Sequence, residues 1–413
     1  MYRDFVPKSL IQAAAFFWGI ACFLPVGMSY LAAMLLFAFL LWRLVCDKSA
    51  ATLRWQQIRH HAVFWPLCFL SVWMVFIWCV LPHYKETPSN LFHGFRIVLT
   101  ILLVLMLRKS ELIAALSGVV LGATLALVII YINRWIPLPM VPGLRNLLDM
   151  SQGNKSIGIA VTLAIFAVCS FLYALRHWKD AKAAVAYVPL LLVVPVLIWF
   201  LPSRTSLLLV AICLGIGLIH HFWKRPLLLS SAIVGLVLSG LAVSQISELK
   251  NRFVIGATQL RSSASTAHDI HANPSEASWA IRHTLYTQTS NMILEKPMLG
   301  WGIGAWNDQW RARTPAKIHD VNMPHNDFLW MGAQTGIFGA LALLAIMLSL
   351  LFNVLRLRSF AASCSVMATS GLLIAMSFNS ALRDAQIGMS VLYLVVVLNA
   401  WALSNNDKQA NLT

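Results

Sequence analysis

Charge is the scarcest commodity in this chain of 413 residues: Asp, Glu, Lys and Arg together make up 11%, and only 15 residues are acidic. A soluble domain is about one quarter charged, so this chain has too few surface-making residues for a cytosolic enzyme of its size. The same shortage excludes a disordered chain, which would be rich in charge and poor in apolar residues. Cysteine is sparse too. The seven at 22, 46, 68, 79, 169, 213 and 364 all lie inside or at the edge of apolar runs. That excludes a disulfide scaffold and suits buried, inert thiols. The chain has no Walker A sequence, no CxxC, no HExxH and no paired carboxylates at metal spacing. It has no internal repeat of 20–50 residues and no low-complexity tract. Outer-membrane strands would alternate apolar and polar residues, and that pattern is missing as well.

What the chain does have is apolar length. Hydrophobic residues make up 59% and the mean hydropathy is +0.74. Unbroken runs long enough for helical spans predict an all-α integral membrane protein with about twelve of them. They are 10–27, 29–46, 62–82, 93–107, 112–132, 155–175, 183–201, 204–222, 226–246, 327–355, 360–381 and 387–404. The fourth is short and carries Arg96. The basic N-terminal stretch ahead of the first run lacks a small-residue cleavage pattern, so it reads as a retained span. The net charge of +16 first reports topology, not nucleic acid. Lys and Arg favour one set of alternate connections by about two to one, which places both termini in the cytoplasm.

One segment breaks the pattern. Residues 247–326 are polar, fall on the outer side, and separate nine spans (1–246) from three more with a short tail (327–413). Loops this long tend to be functional. Within it, Asn273-Pro274-Ser275-Glu276 reads as a helix start. Ala277, Ile281, Leu285 and Met292 share a face, predicting an amphipathic helix over 274–295 on or near the membrane surface.

Polar residues gather in three places at the outer boundary. Ser203-Arg204 opens the eighth span, where free N–H groups, a positive dipole end and an arginine make an anion site; an interfacial arginine snorkelling to headgroups is the plainer alternative. Arg282, with Tyr286 one turn on, lies two turns into the amphipathic helix, where a solvated face is the alternative. His325-Asn326-Asp327 closes the long loop, with Asn326 or Asp327 able to cap the tenth span. Its imidazole suits proton transfer near neutral pH, against a structural bond to a loop carbonyl. The turn around Gly302 has G-x-G-x-G spacing with no preceding strand, so it is not a dinucleotide fingerprint. It reads as a backbone that approaches a ligand, or simply a tight turn. His268-Asp269-Ile270-His271 reads as solvated and not as a metal site.

Two arginines and a histidine at an outer membrane face, with no nucleotide site, suit glycosyl transfer from a polyprenyl-diphosphate sugar. Arginine forks hold a diphosphate, and imidazole takes the proton of an attacking hydroxyl. At Ser203-Arg204-Thr205-Ser206, at Arg282 preceding Glu295-Lys296-Pro297-Met298-Leu299-Gly300-Trp301-Gly302, and at Pro324-His325-Asn326-Asp327-Phe328 the chain resembles the bacterial O-antigen ligases. These belong to a wider group of O-antigen ligase and polymerase membrane proteins. The resemblance implies a glycosyltransferase-C type fold and an inverting transferase without metal or other cofactor. It implies Arg204 and Arg282 as ligands of the donor diphosphate and His325 as the essential base, with Ser203, Tyr286, Gly302, Asn326 and Asp327 in supporting places. It further implies an undecaprenyl-diphosphate-linked O-antigen donor, a lipid A–core acceptor, and an inner-membrane protein whose site faces the periplasm among membrane lipids. An O-antigen polymerase is the nearest alternative. A lipid-linked glycan flippase is the alternative of another class, but it would call for mid-membrane charges and inverted repeats, and neither is present. Because a point charge does not replace a bidentate fork, Arg204→Lys is expected to lower kcat/KM in a purified transfer assay by about 10- to 100-fold. Full activity of that variant would remove the diphosphate role.

Overall fold

Each apolar run becomes a helix because a chain in lipid satisfies its backbone N–H and C=O groups within its own segment. The computed structural model describes residues 8–149, 154–200, 204–244 and 274–410; among these every regular element is helical. In chain order the α-helices are α1 (Lys8–Ala21), α2 (Val26–Cys46), α3 (Lys48–His60), α4 (Phe64–Val80), α5 (Thr87–Leu105), α6 (Lys109–Trp135), α7 (Arg145–Leu148) and α8 (Asn154–Arg176). They continue with α9 (Val188–Pro195), α10 (Arg204–Phe222), α11 (Pro226–Ser244), α12 (Pro274–Glu295), α13 (Trp306–Arg313), α14 (Asp327–Leu355), α15 (Phe360–Phe378) and α16 (Ala385–Ala410).

Among the described residues, eight helices are long and apolar enough to cross a membrane, or nine if the pair Arg54–His60 and Phe64–Val80, bent by 84°, counts as one span. The remaining three runs form shorter apolar helices, Ser9–Ala21, Ser206–Phe222 and Pro226–Gly235. The run expected at 93–107 begins earlier, at Thr87 with a proline in its first turn. Its polar residues Thr87, Asn90 and Arg96 are buried in protein, which is why the run looked short by hydropathy.

The outward faces are apolar and open. Met34 of α2 and Val72 of α4 are each 70% exposed, a surface that would drive aggregation in water but matches lipid. The interior is built on α8, α15 and α16. Trp18 of α1 stacks on Tyr393 of α16 with ring centroids 4.3 Å apart, and the Tyr393 hydroxyl donates to the Ala15 carbonyl at 2.8 Å. Gly118 of α6 lets α1 approach so closely that a Cβ there would sit 2.0 Å from the Phe16 carbonyl oxygen. At one end of the bundle Arg43 pairs with Glu111 at 2.6 Å. The opposite end carries the polar cluster described below.

α14 is broken in the middle. Gly336 adopts φ 72° and ψ −177°, and the freed backbone groups find partners in the turn after α12. Trp301 N–H donates to the Ala333 carbonyl at 2.9 Å, Gly302 N–H to the Gln334 carbonyl at 3.0 Å, and Ile337 N–H to the Pro297 carbonyl at 2.8 Å. The Trp73 indole takes the Thr335 carbonyl at 2.8 Å. The portion from Ile337 onward spans roughly 28 Å at 1.5 Å per residue, close to a bilayer's apolar thickness, so the portion before the break is available to build a site. A Cβ on Gly336 would stand 2.1 Å from the Met298 carbonyl oxygen, in a backbone conformation that L side chains rarely adopt. Gly336→Ala is therefore expected to destabilise the fold by on the order of 3 kcal/mol or more. A fall in the thermal transition of the detergent-purified protein would show it; an unchanged transition would mean the break is not required.

Candidate functional site

The site begins with the histidine that opens α14. His325 has φ 53°, the one positive φ among the described non-glycine residues, and such strain persists only where the surroundings enforce it. Asn326, next in the chain, is the N-cap. Its Oδ1 accepts from Leu329 N–H at 2.9 Å, while its Nδ2 donates to the Ser377 carbonyl at 2.9 Å. Asp327 does not cap the helix. Its carboxylate is fully buried and accepts from the backbone N–H groups of Leu382 at 2.8 Å and Arg383 at 3.2 Å. Of the two residues expected as caps, Asn326 is the one that caps, and Asp327, with both oxygens occupied, is a brace for the α15–α16 turn.

The turn, residues 379–384, is gripped from its other side by Arg96 of α5. The Arg96 guanidinium donates to the Leu382 carbonyl, to those of Arg383 at 3.2 Å and Asp384 at 3.3 Å, and to the Tyr30 hydroxyl at 3.0 Å. Asn379, at the start of the turn, faces the imidazole, with its Oδ1 3.3 Å from His325 Nδ1. With an amide oxygen as partner, Nδ1 carries the ring proton and Nε2 keeps its lone pair.

α12 supplies the third wall. Its Tyr286 hydroxyl donates to the His325 carbonyl at 3.3 Å, and Arg282, one turn earlier, lies on the same face. Burial pulls the His325 pKa below its usual 6.5; the Asn379 bond holds it up, and the positive charges of Arg282 and Arg383 push it further down. The imidazole is thus a neutral base at neutral pH. Burial pushes the Tyr286 phenol up and Arg282 pulls it back, which leaves it a protonated donor. The expected 274–295 bounds hold for α12, but its apolar face does not lie on a membrane. Leu285 and Met292 are buried against Trp306, Trp310, Ile318 and Ala333.

Arg204 begins α10, although its side chain, and Ser203 altogether, lie outside the described residues. The backbone still places it. His220 Nδ1 meets Ser363 Oγ at 3.0 Å, Cys213 Sγ meets the Met367 carbonyl at 3.8 Å, and Leu209 lies beside Gly371. α10 and α15 are therefore antiparallel, and the same register brings the first turn of α10 to the end of α15 at Asn379. Gly302, at φ 104°, is spent on packing. Its turn is tied down by the Tyr84 hydroxyl to the Trp301 carbonyl at 3.1 Å and by Thr87 Oγ1 to the Ile303 carbonyl at 2.6 Å.

Sequence reasoning missed Asn379, Arg383 and Arg96. Arg96 and Arg383 had counted only toward topology, although Asn379, Arg383 and Asp384 within one short connection are a polar cluster that could have drawn notice. Among the described residues no three His, Cys, Asp or Glu side chains group at metal-binding distance; the His268 and His271 pair lies outside them. A separate opening of about 350 Å³ lies between the end of α6 and residues 199–200, lined by Asn133, Arg134, Trp199 and Phe200 among others.

No curated protein is detectably similar in sequence to this chain. A protein-family model described as O-antigen ligase matches residues 190–344, the stretch that contains the first turn of α10, α12, the glycine-rich turn and His325. Over that segment the chain is similar to the O-antigen ligase family.

Proposed function

We propose that this protein is an O-antigen ligase of the bacterial inner membrane. In this reading it moves a glycan from undecaprenyl diphosphate to a sugar hydroxyl of lipid A–core at the periplasmic face, within a bundle that crosses the membrane twelve times with both termini in the cytoplasm. The observation that carries the reading is the convergence of Arg282, Tyr286 and a neutral His325 on one spot within the family-matched segment.

The chemistry is one inverting displacement. The acceptor oxygen attacks the anomeric carbon, the bond from that carbon to the diphosphate oxygen breaks, and its electron pair leaves with the diphosphate. The acceptor's proton passes to Nε2 of His325, while Nδ1–H stays on Asn379. A positioned base of this kind contributes roughly 10²–10⁴-fold. Arg204 and Arg282 receive the charge that develops on the leaving diphosphate. With these cations and a helix N-terminus at hand, the step needs no metal.

His325→Ala or His325→Gln should fold and be nearly inactive in a purified transfer assay, and EDTA should leave the unaltered protein active. Because only the neutral imidazole serves, activity should be full at pH 7 and fall as pH drops through a pKa below 6.5. Asn379→Ala removes the bond that holds that pKa up. It should therefore shift the acid limb of kcat/KM to still lower pH, while misorienting the ring and lowering turnover by up to about 10²-fold. Near-normal turnover in His325→Ala would move the base elsewhere. In a deletion strain, core-only lipopolysaccharide with persisting lipid-linked polymer is the ligase outcome, and core bearing a single repeat would make the protein a polymerase.

A further inference from the structure

Several half-buried or buried arginines among the described residues bond to protein groups. Arg43 bonds Glu111 and the Met106 carbonyl, both at 2.6 Å. Arg313 pairs with Glu295 at 2.6 Å. Arg96 donates to three carbonyls and a hydroxyl. Arg383 does not. It is partly buried, yet its guanidinium makes no hydrogen bond and no ion pair among the described residues, and its Nε is buried with no partner. The carboxylates nearby are otherwise engaged. Asp327 is taken by the N–H groups of Leu382 and Arg383 itself, and Asp384 Oδ1 accepts from Ile387 N–H at 3.0 Å. Glu86, Asp327 and Asp384 act on Arg383 from beyond contact distance.

Its position is fixed independently of its side chain, because the backbone N–H is held by Asp327 and the carbonyl by Arg96. A cation anchored by its own main chain, partly removed from water and left with an open fork beside the histidine is arranged for an anion that arrives from outside. Resting on the transferase reading, we propose that Arg383 binds a phosphoryl group of a substrate beside His325, from the turn and not from α12, and in addition to Arg204 and Arg282. Two sources share that chemistry: the diphosphate of the lipid-linked donor and a phosphate carried by the acceptor lipid.

The test uses the full-length protein in nanodiscs. Inorganic diphosphate binding is followed by calorimetry, and transfer kinetics are measured against donor and acceptor separately. Arg383→Gln is expected to weaken diphosphate binding and to raise the KM of one substrate by at least tenfold. A rise for the donor assigns the diphosphate; a rise for the acceptor assigns its phosphate. The charged groups that act on His325 are Arg282 from α12 and Arg383 from the turn. Asp327 lies next in its own chain, Tyr286 faces it from α12, and Arg96 and Asp384 are engaged with the turn's backbone. Loss of the Arg383 charge should therefore move the acid limb of kcat/KM to higher pH, whereas Arg383→Lys should keep the limb in place and still raise KM. The lysine variant also stands in should the glutamine variant fail to fold. Unchanged diphosphate binding with both KM values unchanged in either folded variant overturns the proposal. If wild-type protein transfers no glycan but binds diphosphate through Arg383, the transferase reading fails and this site stands.

Discussion

The carboxylate of Asp327 and the guanidinium of Arg96 hold the turn at 379–384 between them, one taking its N–H groups and the other its carbonyls. Both charged groups are buried, and burying a charge without hydrogen bonds to satisfy it would cost several kcal/mol. Here the backbone of a short turn supplies those bonds, so the turn and the two charges stabilise one another. The clamp joins the start of α14, the end of α15, the start of α16 and the outer half of α5. Among the described residues, the polar side chains that act on or bond to His325 are positioned by one of these segments or by α12. If the clamp were lost, Asn379 would no longer be fixed against the imidazole and Arg383 would no longer be fixed beside it.

A second constraint comes from the broken α14. In a lipid-facing bundle a helix cannot stop in mid-course unless other groups take its carbonyls, and the turn after α12 does so through Trp301 and Gly302. The same turn is tied to Tyr84 in the loop before α5 and to Thr87 at the helix start. The break thus couples α12, which carries Arg282 and Tyr286, to the helix that follows His325. The glycine-rich stretch builds the frame of the site.

Much of this was legible in the sequence, for physical reasons. Apolar runs give helices because lipid leaves no alternative, and the Pro274 signal with the apolar spacing located α12 to the residue. The Asn326 cap was legible because a short polar side chain stands directly before a long apolar run. What was not legible depended on tertiary partners. Hydropathy could not show that Thr87, Asn90 and Arg96 face protein, so the fifth helix looked too short. The apolar face of α12 could equally have met lipid; only the packing of Trp306 and Trp310 shows that it meets protein. Asn379 and Arg383 sit 54 and 58 positions beyond His325 in the chain, and only the antiparallel return of α15 brings them back to it. Adjacency left Asn326 and Asp327 equal candidates for the cap; the partners that separate them, Ser377 for one and Leu382 and Arg383 for the other, are likewise far along the chain.

In the proposed function a lipid-linked diphosphate sugar reacts at His325 within this clamp. The most direct measurement is an electron cryomicroscopy structure of the full-length protein in nanodiscs with an undecaprenyl-diphosphate-linked glycan bound. Diphosphate density is expected between the first turn of α10 and the face of α12 that carries Arg282, with the anomeric carbon presented toward Nε2 of His325. Diphosphate density in the separate opening beside Arg134, with the clamp and His325 left untouched, would contradict it.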